Sequence, residues 1–310
     1  MKITCLMENT IGNEICQSEH GFCLLVEMKD TTILVDTGAS GLFMENAQKL
    51  GINLRKVETL FLSHGHYDHG GGIIEFCNCN PIAEIVMQKS ALGNYWHKSE
   101  QVEKYIGLDP AIKELENLSL VEGDYIYCKG DLKTGFGTEK QNMKTEYEKQ
   151  KYIHIFTLKK DKQNNLKCWP EGNLVLKEKI ETGYVQDHFA HEQYIVVRED
   201  GKSVLISGCA HNGILNILEE YQRKFGQNPD VIISGFHMRK KTGYSERDFE
   251  VIKETAKILK NTEILCYTGH CTGEEPYQLM KEIMGEQLQY VHCGDVIESE
   301  VFQSAIQSFK

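Results

Sequence analysis

His64, His66, Asp68 and His69 crowd into one short stretch, FLSHGHYDHGGG, residues 61–72. Four polar side chains this close would each need a buried partner if the segment lay in an ordinary core. Imidazole and carboxylate groups at this density suit a transition metal such as zinc, iron, manganese or nickel. The spacing points to two ions. His64 and His66 alternate onto one face of an extended segment and can reach one ion together. Asp68 and His69 lie just beyond, within reach of a second. Two ions about 3.5–4 Å apart can share a hydroxide and clamp substrate oxygens, and a metal lowers the pKa of its water toward ~7.

Other apolar runs also end in reactive residues. ILVDTG ends at Asp36, VLISGCAHNG at Cys209 and His211, VIISGFHMRKK at His237, and ILCYTGHCTG at His270. Each carries a glycine beside the reactive side chain, which lets the backbone turn sharply and approach a ligand. Strand ends that converge on one rim are where α/β folds place their sites. Each residue also has a plainer reading. Asp36 would cap the next helix, Cys209 would be a buried thiol, and His237 would be a hydrogen-bonded surface residue. Arg239, Lys240 and Lys241 follow His237, either as a clamp for phosphate or carboxylate or as a solvated turn.

The elements that must position these groups are legible from periodicity. FCLLVEM (22–28) and TTILVDT (31–37) flank the turn Lys29-Asp30 and read as a hairpin. SGLFMENAQKLG reads as a helix stopped at Gly51. KVETLFLS (56–63) is the strand that delivers the histidine loop, and a short helix opens between Gly70 and Cys77. From residue 193, QYIVVRE and KSVLISGC are strands around Asp200-Gly201, and NGILNILEEYQRKFG is a helix. DVIISGF is a strand. SERDFEVIKETAKILK is an amphipathic helix with Ser245 as its N-cap. TEILCYTG is a strand, EEPYQLMKEIMG a helix, and LQYVHCGDVIE one last strand. Hairpins followed by strand–helix alternation predict mixed sheets covered by helices. Residues from about 88 to 180 have weak periodicity and include the charged run GTEKQNMKTEYEKQKY. They are expected to form an insertion or cap.

The 310-residue chain is long enough for a large core. Its net charge of −11 argues against a general nucleic-acid binder, while leaving room for a local cationic patch. No apolar run is long enough to span a membrane, and the N-terminus MKITCLMENT lacks a signal-like core. Eleven scattered cysteines, an odd number, fit small buried side chains in a reducing cytoplasm.

The run His64-Gly65-His66-Tyr67-Asp68-His69 resembles the signature of the metallo-β-lactamase fold. Asp36 matches that superfamily's upstream aspartate and His270 its last histidine ligand. Cys209 sits where many members carry a bridging aspartate and some carry cysteine. The resemblance implies an α/β fold, an αββα sandwich of two mixed β-sheets flanked by helices. It spans residues 1–310 as a single domain, with the insertion or cap at about 88–180. SGCAHNGI (207–214), SGFHM (234–238) and GHCTG (269–273) are together similar to a narrower group. That group includes the archaeal dihydropterin ribofuranosyl-aminobenzene phosphate synthase and related bacterial metal-dependent hydrolases.

One departure matters. The superfamily usually has a histidine ligand shortly before the strand that ends here at Cys209, and DHFAHEQYIVV offers His188 and His191. The group commonly carries an acidic residue in place of His191, so His211 is expected to supply this ligand. The implied metal set is His64, His66, Asp68, His69, His211 and His270, with Cys209. Asp68 and His211 are expected to manage protons, and His237 to touch substrate or act as an acid. One or two divalent transition ions are implied, zinc first, with manganese or iron as alternatives. The first functional reading is a synthase that forms a C–N bond by transferring a dihydropterin-methyl group. The second is a di-metal hydrolase of a phosphoester or other small ester. The third is an iron-containing redox or sensing protein on the same scaffold. The expected partner is a small-molecule substrate, anionic or phosphorylated, with no nucleic acid and no membrane. A pterin slot would draw walls from Tyr95, Trp96 and Trp169.

Overall fold

A computed structural model describes residues 1–128, 131–134, 152–158, 168–240, 243–300 and 302. Lys241 and the charged run from 137 to 151 lie outside the described residues. The first sheet takes β1 (Lys2–Met7), β2 (Cys23–Glu27), β3 (Thr32–Val35), β4 (Thr59–Phe61), β5 (Glu84–Gln88), β8 (Leu118–Val121) and β19 (Val296–Glu298), in the order β19-β1-β2-β3-β4-β5-β8. The second takes β9 (Tyr125–Cys128), β10 (Asp131–Thr134), β11 (Tyr152–Phe156), β14 (Tyr194–Glu199), β15 (Lys202–Ser207), β16 (Val231–Ser234), β17 (Leu265–Thr268) and β18 (Leu288–Tyr290), in the order β10-β9-β11-β14-β15-β16-β17-β18. Both mix parallel and antiparallel neighbours.

Strict alternation along the strands stacks these layers. Leu24 and Val26 of β2, with Ile33 and Val35 of β3, face a core shared with Ile195 and Val197 of β14 and Val204 and Ile206 of β15. The intervening Leu25 and Leu34 face outward onto α1 (Leu42–Lys49) and, beyond the single-turn α2 (Tyr67–Gly70), onto α3 (Ile73–Cys79), through Phe43, Ala47 and Phe76. On the far side, Val196, Leu205 and Ile232 face α4 (Ile214–Phe225), α5 (Glu246–Lys260) and α6 (Glu274–Met284). Period-two apolar strands buried on both faces thus give the expected αββα sandwich. Each fully buried Leu, Ile or Val contributes about 1.5–3 kcal/mol.

Ser245 caps α5 as expected: its Oγ accepts from the Asp248 N–H at 3.2 Å, and Asp248 Oδ2 accepts from the Ser245 N–H at 2.8 Å. Two features differ from the sequence reading. LQYVHCGDVIE is two strands, not one. β18 extends the second sheet in parallel, and β19 crosses to pair antiparallel with β1. The break falls at Gly294, whose φ of +90° carries the crossing. The segment from about 88 to 180 is also more integrated than a cap. It gives β8 to the first sheet and β9, β10 and β11 to the second. The rest, β6 (Tyr95–Lys98), β7 (Glu103–Tyr105), β12 (Leu176–Ile180) and β13 (Gly183–Gln186), forms a separate four-stranded sheet. Its described helical pieces are short 3-10 turns, such as Glu171–Val175.

β3 runs parallel to β4, and β15, β16 and β17 run parallel to one another. Their C-terminal ends deliver Asp36, the histidine loop, Cys209 with His211, His237 and His270. Among the described residues no helix is long and apolar enough to cross a membrane.

Candidate metal centre

The two halves of the sandwich meet at Gly208. A Cβ there would lie 2.2 Å from Ser63 Oγ and 3.1 Å from His64 Nδ1, so only glycine permits the approach. Around this contact five non-glycine residues adopt left-handed backbone: Asp36 (φ 62°), Phe189 (51°), Ala210 (51°), His237 (49°) and His270 (51°). Such conformations cost about 1–3 kcal/mol each and gather where a site dictates geometry.

His64, His66 and His211 each bring a ring nitrogen within 4.8 Å of the others. All three are buried, and Nε2 of each has no hydrogen-bond partner among the described residues. The opposite nitrogens explain this orientation for two of them. Ser63 Oγ donates to Asp36 Oδ2 at 2.7 Å and so must accept from His64 Nδ1 at 2.9 Å. Asn173 Oδ1 accepts from His211 Nδ1 at 2.9 Å. The proton therefore sits on Nδ1 and leaves an Nε2 lone pair aimed at the others. Burial, reinforced by neighbouring histidines, holds His64 and His211 far below the usual imidazole range and lowers His66 to about 3. An unmatched buried polar atom costs about 1–3 kcal/mol. Two oriented lone pairs and the unpartnered Nε2 of neutral His66, gathered in one place, fit a divalent ion that accepts all three.

A second cluster adjoins it. His69 Nε2 lies 3.1 Å from Cys209 Sγ and 3.2 Å from His270 Nε2. Asp68 Oδ2 lies 3.4 Å from His270 Nε2 and 3.2 Å from His20 Nε2. Asp36 does not cap a helix: α1 starts after Gly41 with no side-chain cap. Its Oδ2 instead faces His69 Nδ1 at 2.6 Å, and its Oδ1 accepts from the Ser63 N–H at 2.7 Å. Burial pulls the His69 pKa down, but the charge and hydrogen bond of Asp36, helped by Asp68, lift it to about 9. Burial likewise penalises an ionised Asp68, yet its contacts with His20 and His270 prevail and hold the carboxyl well below its usual range. The Cys209 thiol is pushed up, first by burial. His270 is fixed by Asn9 Oδ1, 3.0 Å from its Nδ1, and by Glu8 Oε1, which accepts its backbone N–H at 2.5 Å.

His188 is exposed and joins none of these groups. His191 is buried against the loop with both ring nitrogens engaged: Nδ1 accepts from the Gly65 N–H at 3.0 Å, and Nε2 faces Asp187 Oδ2 at 3.1 Å. With Asp187 and His66 it forms a neighbouring cluster. His237 is half-buried, its ring centroid 4.1 Å from that of His211, and its Nδ1 is buried without a hydrogen-bond partner among the described residues. Cys271, unweighed from sequence although present in GHCTG, joins His237 and Cys209 in a further cluster. Lys240 is not available as a clamp, because its Nζ pairs with Glu171 at 2.9 Å and Asp248 at 2.5 Å. The three expected aromatics do not share one slot. Tyr95 lies on His191 at 4.1 Å and Trp169 beside Phe189 at 6.4 Å, while Trp96 packs with Tyr105 and Tyr184.

Residues beyond the motifs complete the cage around His211. Asn173 Nδ2 donates to the His211 carbonyl at 2.8 Å, and Glu192 Oε1 accepts the His211 N–H at 2.7 Å. Phe189 stacks on the ring at 4.4 Å and 2°. Asn173 is a lone asparagine in a region of weak periodicity, so nothing in its surroundings marks it. Glu192 follows His191 directly, and a carboxylate next to that histidine is the one sequence signal that points to it.

A sequence model of the metallo-beta-lactamase superfamily matches residues 19–239. The chain is 24% identical over 300 residues to an uncharacterized protein, MJ0448, of Methanocaldococcus jannaschii, covering 95% of this chain and 99% of the relative. It is 25% identical over 313 residues to the 7,8-dihydropterin-6-methyl-4-(beta-D-ribofuranosyl)-aminobenzene-5'-phosphate synthase of the same organism, covering 96% of each. Among solved structures, Tm1679, described as a metal-dependent hydrolase of the beta-lactamase superfamily, superposes with a TM-score of 0.73 at 26% identity, covering 96% of this chain and 98% of that one.

Proposed function

The chain belongs to the metallo-beta-lactamase superfamily, and we propose that it is a metal-dependent enzyme acting on a small molecule. The observation that carries this reading is the convergence of three buried, unpartnered Nε2 atoms from His64, His66 and His211. These three would hold one divalent ion. Asp68, His69 and His270, with Cys209, would hold a second. Zinc suits the mixed imidazole, carboxylate and thiolate set, with iron or manganese as alternatives. Bound ions supply Lewis acidity toward a substrate oxygen and acidify water to a pKa of ~7.

The chain's own residues do the rest. Asp36 and Ser63 fix the rings of His69 and His64, and Asn173 fixes that of His211. Asn173 holds His211 Nδ1 and the buried Nε2 is left without a partner beside His64 and His66, which favours a ligand role over proton transfer. Asp68, kept ionised, can accept a proton at Oδ2. His237, whose Nδ1 is unpartnered, can donate or accept one beside the substrate. We read residues 1–310 as one domain in which Tyr95 and Asn173 border this centre, working in a reducing cytoplasm.

The first reading of the reaction is transfer of a dihydropterin-methyl group with formation of a C–N bond, supported by similarity to the archaeal synthase over 96% of each chain. The second is hydrolysis of a phosphoester or other small ester, supported by the likeness to Tm1679. Metal-loaded protein should be assayed in parallel with a dihydropterin alcohol plus an aminobenzene ribosyl phosphate, and with a panel of phosphodiesters. Condensation supports the first reading. Hydrolysis without condensation replaces it with the second. Inactivity on both sets with metal bound overturns both.

A further inference from the structure

An open cleft lies beside the centre, lined in part by residues of the SGCAHNGI and SGFHM motifs, and the metal groups do not account for it. Its sides are the strap 168–172, the start of α4, the loop after β16 and one face of α5. Trp169, Phe236, Ile214, Met238 and Ile252 give it apolar walls. His237 is among its lining residues, and its ring sits 4.1 Å from that of His211. A group seated in the cleft would therefore adjoin the candidate metal centre.

We propose that this cleft is a recognition subsite for an uncharged planar group of the substrate and that it discriminates against anions. The proposal rests on the reading that His211 and its neighbours form the reactive centre. The walls offer aromatic and thioether surface, which favours flat apolar or heteroaromatic groups. Charge at the rim sets the discrimination. Among the described residues Lys240 is the one cation lining the cleft, and it faces the carboxylates of both Glu171 and Asp248. One positive and two negative charges leave a formal −1. The start of α4 contributes roughly half a positive charge, too little to reverse that sign. Asp248 is already occupied, since its Oδ2 accepts from the Ser245 N–H and Oγ, both at 2.8 Å. Glu171 is exposed and uses Oε2 for Lys240, leaving Oε1 to accept from a ring N–H or amino group. Asn173, which holds His211, directly follows the strap, so substrate seating and the posture of His211 depend on adjoining residues.

The test is calorimetric titration of the full chain with 2-naphthol and with 2-naphthyl phosphate. Naphthol should bind with a dissociation constant of about 0.1–1 mM, as expected for so small a ligand. It should bind equally with and without chelator. With chelator present, so that no ion can hold the phosphate, 2-naphthyl phosphate should bind at least about ten-fold more weakly, a gap set by the rim charge. Trp169→Ala should weaken naphthol several-fold without changing metal content. Glu171→Lys, at an exposed position and so compatible with folding, should narrow or reverse the preference over the phosphate. Equal or tighter binding of the phosphate to chelated protein overturns the proposal. So does an absence of naphthol binding to metal-loaded protein, or an unchanged preference in Glu171→Lys. Loss of metal with naphthol binding intact would count against the metal centre alone and leave the subsite standing.

Discussion

Replacing Asn173 with leucine removes two hydrogen bonds from His211 at nearly constant volume. Asn173 is fully buried, with its Nδ2 2.8 Å from the His211 carbonyl and its Oδ1 2.9 Å from His211 Nδ1. Both groups on His211 would be left unmatched in an apolar setting, at about 1–3 kcal/mol each. The larger consequence is chemical. Without an acceptor at Nδ1, the imidazole is no longer held with its Nε2 lone pair toward His64 and His66. Loss of such an orienting partner typically lowers metal affinity by about 10–100-fold. The assay is zinc competition against a chromophoric chelator at pH 7, with thermal unfolding in parallel. Asn173→Asp keeps an acceptor for Nδ1–H while losing the donor to the carbonyl. It should therefore recover most of the metal affinity but not all of the stability. A purely structural role would move stability in both variants and leave metal affinity alone. Wild-type zinc affinity in Asn173→Leu, or no recovery in Asn173→Asp, would refute the reasoning.

Other outcomes follow from the same structure. Burial lowers His154 to about 4, below the ordinary imidazole value of 6.5. The unfolded chain thus binds more protons between those values, and stability falls as pH drops from about 6.5 to about 4, by roughly 3 kcal/mol at most. Urea unfolding at pH 7 and pH 4.5 should show this loss, and His154→Leu should reduce it; an equal loss in the variant would assign the effect to other groups. Gly208→Ala would place a methyl 2.2 Å from Ser63 Oγ, and should cost about 1–3 kcal/mol and lower metal content together; normal zinc binding by this variant would contradict the close approach. Ser245→Ala removes the α5 cap and should cost about 1 kcal/mol without changing metal content, as read by thermal unfolding and metal analysis.

The centre was legible where chemistry is local in the chain. His64, His66, Asp68 and His69 share one six-residue stretch, and Cys209, His211, His237 and His270 follow strands whose apolar runs end in glycine-flanked polar clusters. Parallel strands bring those ends together, so a strand-end pattern became a spatial cluster. Groups that act across long separations left no such pattern. Asn173 grips His211 from a segment of weak periodicity, and Glu8 and Asn9 hold His270 from the opposite end of the chain. Asp36 was readable as a helix cap because Asp before a helix commonly is one; only the spatial approach of His69 shows its carboxylate engaged elsewhere. Lys240 read as a cation and is neutralised by partners drawn from α5 and the strap. The layered fold followed from period-two strands and amphipathic helices, whereas the crossing at Gly294 depended on a single backbone conformation inside an apparently continuous strand.

The central claim is that His64, His66 and His211 hold an ion. Elemental analysis of the purified chain, with His66→Ala beside it, tests it most directly. The wild-type protein should carry one to two transition-metal ions per chain, the upper figure set by the two ion sites proposed above. His66→Ala should lose at least the ion of the first cluster and its activity, with its far-ultraviolet circular dichroism unchanged. A wild-type protein that is active without metal, or a His66→Ala protein with full metal content and activity, would contradict the account.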